Sequence, residues 1–128
     1  MSEGEKLIAS NPNRGGFIIS ETVEAGMMLT GTEVKSLRQS SPNLRDAYVE
    51  VRAQNKSLEA WIYNLHIAPY THGNLANHDP LRKRKLLLHR HQINQIHGSL
   101  IRDGMTAIAT RIYFKGGKVK IEIAVAKG

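Results

Sequence analysis

The chain has 128 residues, of which 41% are hydrophobic, which is enough for one domain with a modest core and too apolar for a disordered chain. It has no cysteine, no apolar run near the ~20 residues that span a bilayer and no secretory pattern at its start, so we expect a cytoplasmic protein without disulfides. Its 18 Lys and Arg residues against 11 Asp and Glu residues give a net charge of +7. This charge favours nucleic acid as a partner; an anionic membrane is the second candidate, unsupported by any long amphipathic helix.

The first 30 residues are predicted to form a terminus and a broken extended segment. Residues 1–12 look like a loose terminus, and the Asn, Pro and Gly residues of 11–16 are typical of a turn. Residues 17–19 indicate a strand. The Ala25–Gly26 pair is expected to interrupt it with a bend or bulge, before extended structure resumes over 27–30.

A short helix and a hairpin are predicted next. The helix covers 33–38, with Thr30 or Thr32 as its N-terminal cap. Residues 47–53 then alternate between small or apolar and polar side chains, which is typical of a half-buried strand. After a polar turn, residues 58–67 form the return strand of this hairpin.

The second half is predicted to contain an irregular stretch, a helix and a final hairpin. Residues 69–80 are polar and irregular, and a helix then begins at Leu86 and continues to about Arg102. Residues 108–114 and 119–125 alternate as two strands around a Gly-Gly turn. With about six strands and two or three short helices, we expect a mainly β protein, a six-stranded antiparallel barrel resembling the oligonucleotide-binding (OB) fold.

Two basic clusters are candidates for phosphate binding. Residues 82–85 read Arg-Lys-Arg-Lys, and guanidinium groups bind phosphate through paired hydrogen bonds, although a solvated charge run explains this segment equally well. Alternation places Lys118 and Lys120 on one face of the last hairpin, with Tyr113 on the neighbouring strand. Lysines beside an aromatic ring suit phosphate binding with base stacking, which we favour slightly over a role in solubility.

The sequence shows no catalytic or metal-binding motif. The six histidines lack zinc spacing, and His89 and His91 could bind a metal only with a further ligand. The carboxylates are scattered, and no glycine-rich phosphate loop is present. We therefore expect no enzyme, no cofactor and no metal site.

Specific strings occur in order along almost the whole chain. They are 24–26 (EAG), 29–38 (LTGTEVKSLR), 43–48 (NLRDAY), 66–70 (HIAPY), 77–89 (NHDPLRKRKLLLH), 113–115 (YFK) and 118–128 (KVKIEIAVAKG). Together they resemble the small protein B (SmpB) family, the SsrA-binding or tmRNA-binding proteins of bacteria.

The resemblance implies a fold, a function and a set of partners. The fold would be a barrel resembling the OB-fold, in agreement with the strand count. The protein would bind the tRNA-like domain of transfer-messenger RNA (tmRNA) and deliver it to stalled ribosomes for trans-translation, which tags the nascent peptide. It would catalyse no covalent step, would act as a monomer, and would share the RNA with elongation factor Tu and alanyl-tRNA synthetase.

The resemblance also assigns residues. Glu24 matches an RNA-contacting acid of the family, which should accept hydrogen bonds from base amino groups or a 2′-hydroxyl. Leu87 matches an exposed leucine that can pack on an unstacked base. The other expected RNA contacts are Asn13, Arg14, Arg82, Arg84, Lys85, His89, Tyr113, Lys118 and Lys120. Lys35 and Arg38 would belong to a second patch that faces the ribosome.

Departures from the family pattern and two rival functions complete these expectations. Gly15 and Gly16 replace a basic or alanine-containing stretch. Relatives continue past the final Ala-Lys-Gly with a basic tail, so we expect residues 1–128 to be a single tmRNA-binding domain that binds the RNA without supporting tagging. The rivals are a ribosomal or general RNA-binding module without tmRNA specificity and a histidine-metal nuclease.

Overall fold

A computed structural model describes residues 4–11, 16–73 and 76–128, and these contain seven strands and two helices. The strands are β1 (Glu5–Ser10), β2 (Ile18–Met27), β3 (Tyr48–Gln54), β4 (Ser57–Tyr63), β5 (Arg84–Leu87), β6 (Thr106–Lys115) and β7 (Lys118–Lys127). The helices are α1 (Gly31–Gln39) and α2 (Arg90–Ile101). Within the described ranges, neither helix is long and apolar enough to cross a membrane.

All strands belong to one antiparallel sheet in the order β1-β6-β3-β4-β5-β2-β7. A further pairing joins β6 to β7, so the pairings of six strands form a ring. The buried side chains inside this ring come from all six of its strands and from the loops and helices beside it; they include Val49, Ile62, Leu65, Ile67, Leu86, Ile96, Ile112, Ile121, Ile123 and Val125. The prediction of a mainly β antiparallel fold is therefore confirmed.

The strand count differs from the prediction because β1 and β5 were not expected to be strands, whereas the extended segments predicted around 17–19 and 27–30 give only β2. β1 was expected to be part of a loose terminus. β1 pairs with β6 from Glu5 opposite Lys115 to Ser10 opposite Arg111, with an irregularity between Leu7 and Ala9. Its six residues, EKLIAS, have no regular alternation, so the sequence carries no clear strand signal. The strand forms because the edge of β6 offers unpaired backbone groups.

The expected break at Ala25–Gly26 is also wrong, since β2 continues through Met27. The irregularity lies between Ile19 and Glu21 instead. Gly26 serves a different purpose: a Cβ atom at this position would lie 3.3 Å from the Cβ of Leu87 on β5. The glycine therefore allows two neighbouring strands to approach closely rather than ending one of them.

The segment that was expected to begin a helix at Leu86 is strand β5, and α2 begins only at Arg90. Arg84 and Leu86 are buried while Leu87 is exposed, so the segment follows the two-residue period of a strand. The other helix follows its local signals. Thr30 caps α1 through a reciprocal capping box with Glu33, as one of the two predicted caps.

Candidate nucleic-acid interface

A cleft of about 800 Å³ lies where β2, β4, β5, β7 and the start of α2 meet. Five of the side chains that were predicted to contact RNA line it: Glu24, Lys85, Leu87, His89 and Lys120. They belong to three segments that are far apart in the sequence, around 24, 85–89 and 120, and the strand pairings β2–β5 and β2–β7 bring these segments together. The cleft therefore combines an acidic acceptor, basic groups and an apolar side chain in one concave surface.

The short strand β5 places the apolar member of this set. Leu87 pairs with Gly26 and keeps 52% of its surface exposed, whereas its neighbour Leu86 is 1% exposed. The absence of a side chain at Gly26 leaves room for the Leu87 side chain. An exposed apolar side chain beside basic groups is suited to pack against the face of an unstacked base.

Basic groups stand on either side of this leucine. Lys85 forms an ion pair of 2.6 Å with Glu59 on β4 and still keeps a third of its side chain exposed. Lys120 on β7 is half-buried and pairs in register with Gly26. His89 is exposed directly before α2, where its backbone N–H donates to Gln92 at 2.9 Å.

Glu24 is the acidic group of the cleft, and two donors from β6 hold it. The hydroxyl of Tyr113 donates to Oε2 at 2.5 Å, and Nζ of Lys115 donates to the same oxygen at 3.2 Å. The hydrogen bond from Tyr113 lowers the pKa of Glu24, partial burial opposes this, and Lys115 lowers it further. The side chain is about one third exposed, so this carboxylate is charged at neutral pH and accessible to a ligand.

The expectation that Tyr113 stacks on RNA is wrong. Tyr113 pairs in register with Lys120 and so shares its face of the sheet, as predicted, but only 1% of it is exposed. The guanidinium of Arg111 lies 4.4 Å from the ring centroid, and the hydroxyl is occupied by Glu24. Burial, with the hydrogen bond to Glu24, raises the pKa of Tyr113, so the hydroxyl keeps its proton as a donor.

Arg84 is a second correction, because it is fully buried and cannot reach RNA. Its Nε donates to Glu33 at 2.5 Å, and its Nη atoms donate to the carbonyl oxygens of Leu65 and Pro80 at 2.6 and 3.1 Å. Arg82 binds the same carboxylate at 2.6 Å but keeps about a third of its side chain exposed. The basic run 82–85 is therefore divided between a buried ion pair and the surface.

The remaining predicted residues lie elsewhere. Lys118 is exposed at the tip of the β6–β7 hairpin. Arg38 on α1 lies 4.6 Å from the ring centroid of Phe114 and lines a different cleft, of about 460 Å³. Lys35 is also on α1, 5.7 Å from the ring centroid of Tyr70. Asn13 and Arg14 lie outside the described residues.

Sequence reasoning missed the roles of Lys115 and Gly26 at this site. Lys115 lies two residues after Tyr113, and the period of a strand could have placed both side chains on one face. Gly26 was interpreted only as a bend or bulge in its own strand, and not as the position that leaves room for Leu87. No group of three or more His, Asp or Glu side chains that could hold a metal ion occurs among the residues that the structure describes.

A basic single-sheet protein with an acceptor carboxylate, lysines and an exposed leucine around one cleft belongs to the class of small nucleic-acid-binding proteins. Within that class the chain belongs to the SmpB family, whose model, described as "SmpB protein", matches residues 8–128. This confirms the family resemblance read from the sequence strings.

Individual relatives agree with this assignment. The chain is 48% identical over 127 residues to the SsrA-binding protein of Acetivibrio thermocellus, covering 98% of this chain and 80% of that protein. It is 52% identical over 124 residues to the SsrA-binding protein of Caldanaerobacter subterraneus subsp. tengcongensis, covering 96% and 76%. A solved structure described as "tmRNA-SmpB: a journey to the center of the bacterial ribosome" is 42% identical with a TM-score of 0.68, covering 88% of this chain and 76% of that chain.

Proposed function

We propose that this protein binds the tRNA-like domain of tmRNA and accompanies it to stalled ribosomes for trans-translation, as a non-catalytic RNA-binding partner. The observation that carries this proposal is the assembly of five side chains that were predicted to contact RNA around one cleft. The names of the relatives, SsrA-binding proteins, support the RNA partner. The solved structure at 42% identity, described as tmRNA-SmpB and the bacterial ribosome, supports both the RNA and the ribosome.

The cleft suggests a division of labour among its residues. Lys120 and Lys85 attract the phosphate backbone, which contributes affinity without reading sequence. Leu87 packs on a base that is free of its stack, a feature that loops of a folded RNA offer and a regular duplex does not. Glu24 repels phosphate and accepts hydrogen bonds from base amino groups or 2′-hydroxyls, so it selects RNA that presents such a donor at this position.

The fold suits this role as a barrel that resembles the OB-fold. The ring of pairings through β6, β3, β4, β5, β2 and β7 supports a closed barrel. OB-fold proteins bind oligonucleotides on one outer side of a small barrel, beside its loops. Here the cleft is lined by four strands and the start of α2, which matches that placement.

The other partners follow from the same proposal. Elongation factor Tu and alanyl-tRNA synthetase would meet this protein only through the shared RNA. Lys35 and Arg38 lie on α1 and line no part of the cleft of Glu24 and Leu87, which leaves them free for a second, ribosome-facing patch. The protein would act as a cytoplasmic monomer.

A competition experiment with matched leucine variants tests the function. Labelled tRNA-like domain of tmRNA is bound by the protein while unlabelled total tRNA is added, and we expect tmRNA to be preferred. Leu87→Gln should weaken binding by roughly tenfold because a base loses its apolar contact. Leu81→Gln is the control, because Leu81 is as exposed as Leu87 (56% against 52%) but lies outside the cleft.

Equal competition by total tRNA would favour a general RNA-binding module instead. Equal losses in the two leucine variants would show that this cleft is not the RNA site.

A further inference from the structure

The two oxygens of the Glu24 carboxylate have different surroundings. Oε2 accepts both hydrogen bonds, from the Tyr113 hydroxyl at 2.5 Å and from Lys115 Nζ at 3.2 Å. Oε1 accepts none from the part of the chain that the structure describes. One oxygen is therefore used by the protein, and the other keeps its acceptor capacity for a ligand.

The sheet explains why a tyrosine provides the principal contact. Glu24 is on β2 and Tyr113 is on β6, and β7 lies between these strands and pairs with both. Strands separated by one intervening strand are about 10 Å apart, so the two side chains must lean toward each other across β7. A long, rigid side chain with a terminal donor is suited to this span.

The tyrosine is itself held in place. Its ring is buried, the guanidinium of Arg111 covers it at 4.4 Å, and Arg111 is tied to Glu122 by an ion pair of 3.2 Å. A buried aromatic ring of this kind keeps one rotamer, so the position of its hydroxyl is fixed before any ligand arrives. Glu24, in contrast, is partly exposed and without this contact would sample several rotamers.

We propose that Tyr113, assisted by Lys115, is a positioning residue that holds the Glu24 carboxylate so that Oε1 is presented to the cleft as the acceptor for an RNA donor. This inference rests on the proposed function. Fixing the acceptor in advance removes the entropy loss that a free glutamate would incur on binding. The two donors also draw charge toward Oε2, which reduces the repulsion between this carboxylate and nearby phosphates.

A double-mutant cycle tests the coupling between the two residues. Tyr113→Phe removes only the hydroxyl, and we expect tmRNA binding to weaken about three- to tenfold. In the Glu24→Ala background the same change should have no further effect, because the group that Tyr113 positions is gone. Tyr48→Phe is the control, because the Tyr48 ring stacks on Tyr63 and lies away from Glu24.

A second measurement reads the contact without RNA. The pKa of the Glu24 side chain, followed by carboxyl-carbon NMR in the free protein, should rise toward its ordinary value in Tyr113→Phe, since the largest cause of its lowered value is lost. The titratable groups that face Glu24 and stay in place are Lys115 on β6 and Lys120 on β7, and Glu122 lies opposite in register. The same cleft is also lined by Lys85, Glu59 and His89. Tyr48→Phe should leave this pKa unchanged.

The outcomes separate this inference from the proposed function. Equal losses of binding from Tyr113→Phe in both backgrounds, or an unchanged pKa of Glu24, would overturn the positioning role. If Tyr113→Phe does not fold, Lys115→Met, at an exposed position, takes its place in the double-mutant cycle. The effects of Lys115→Met and Glu24→Ala on RNA binding must then again be non-additive. If the wild-type protein shows no preference for tmRNA, the proposed function fails, while the NMR titration still decides whether Tyr113 holds Glu24.

Discussion

At the scale of single residues, the lysines differ by where the sheet places them rather than by their chemistry. Lys120 lines the cleft, and Lys118 is exposed at the tip of the hairpin two residues earlier on the same strand. Lys127 ends that strand, about 24 Å from Lys120 along its length. Three identical side chains on β7 therefore have different access to an RNA bound at the cleft.

We expect Lys118→Ala and Lys120→Ala to weaken tmRNA binding and to flatten its dependence on salt. Each lost phosphate contact should reduce the slope of log affinity against log salt concentration by roughly one, because fewer counterions are released. Lys127→Ala should leave the slope unchanged. The measurement is a series of binding isotherms at increasing salt concentration, and unchanged slopes in all three variants would show that the lysines are only solvated.

At the scale of elements, a buried ion pair joins α1 to β5. Glu33 of α1 and Arg84 of β5 are both fully buried, and the Arg84 guanidinium also donates to two backbone carbonyls. Burial by itself would raise the pKa of Glu33, but hydrogen bonds from Arg82, the Thr30 N–H and Arg84 outweigh it, so the net pKa is lowered. The pair ties α1 to the buried face of β5, opposite the face on which Leu87 is exposed.

Removing Arg84 from this pair should destabilise the fold far more than removing Arg82, its partly exposed neighbour. We expect Arg84→Met to lower the free energy of unfolding by roughly 3 kcal/mol or more, because it leaves Glu33 buried with one partner fewer and takes away the donor of the Leu65 carbonyl, while the Pro80 carbonyl keeps the Ile67 N–H. Arg82→Met removes a contact to the same carboxylate from a partly exposed position and should cost about 1 kcal/mol or less. Urea unfolding measures both, and equal losses would contradict the buried role of Arg84.

At the scale of the whole molecule, the stability of the fold depends on pH in the acidic range. Glu33 and Glu24 both have a pKa below the ordinary value of 4.5 in the folded state. A carboxyl group with a lowered folded pKa stabilises the fold above its unfolded pKa, and this contribution is lost as the pH falls through the folded pKa. Because β5 and β2 both belong to the ring of strand pairings, losing these contributions lowers the stability of the whole fold.

The contribution of these two carboxyl groups to the free energy of unfolding should therefore be constant near neutral pH and decrease below about pH 4.5. The double variant Glu33→Leu with Arg84→Met replaces the buried pair by apolar side chains, and it should show a shallower decrease because one of the two shifted carboxyl groups is gone. Urea unfolding between about pH 7 and pH 3 measures both curves. Identical pH dependence in the two proteins would show that Glu33 does not contribute to acid sensitivity.

The elements with strong local signals were predictable from the sequence. Thr30 and Glu33 form the capping box that starts α1, and regular alternation marked the β3–β4 and β6–β7 hairpins. Gly116 and Gly117 both have positive φ angles, as their two-residue turn requires. The strings that match the SmpB family also identified Glu24, Leu87 and Lys120 before the cleft was known. Each of these signals is contained in a few neighbouring residues, so no distant contact was needed to interpret it.

Only the tertiary structure decided which of the remaining residues reach the surface. β5 has four residues, too few to distinguish a strand period from a helix period, and its pairing with β2 and β4 settles that Arg84 is buried and Leu87 exposed. Tyr113 lies on the predicted face, but Arg111 and Glu24 cover it there. β1 becomes a strand because β6 has a free edge. In each case at least one deciding partner is distant in the sequence, as Glu24 is for Tyr113, and burial depends on what the fold brings next to a residue rather than on its own chemistry.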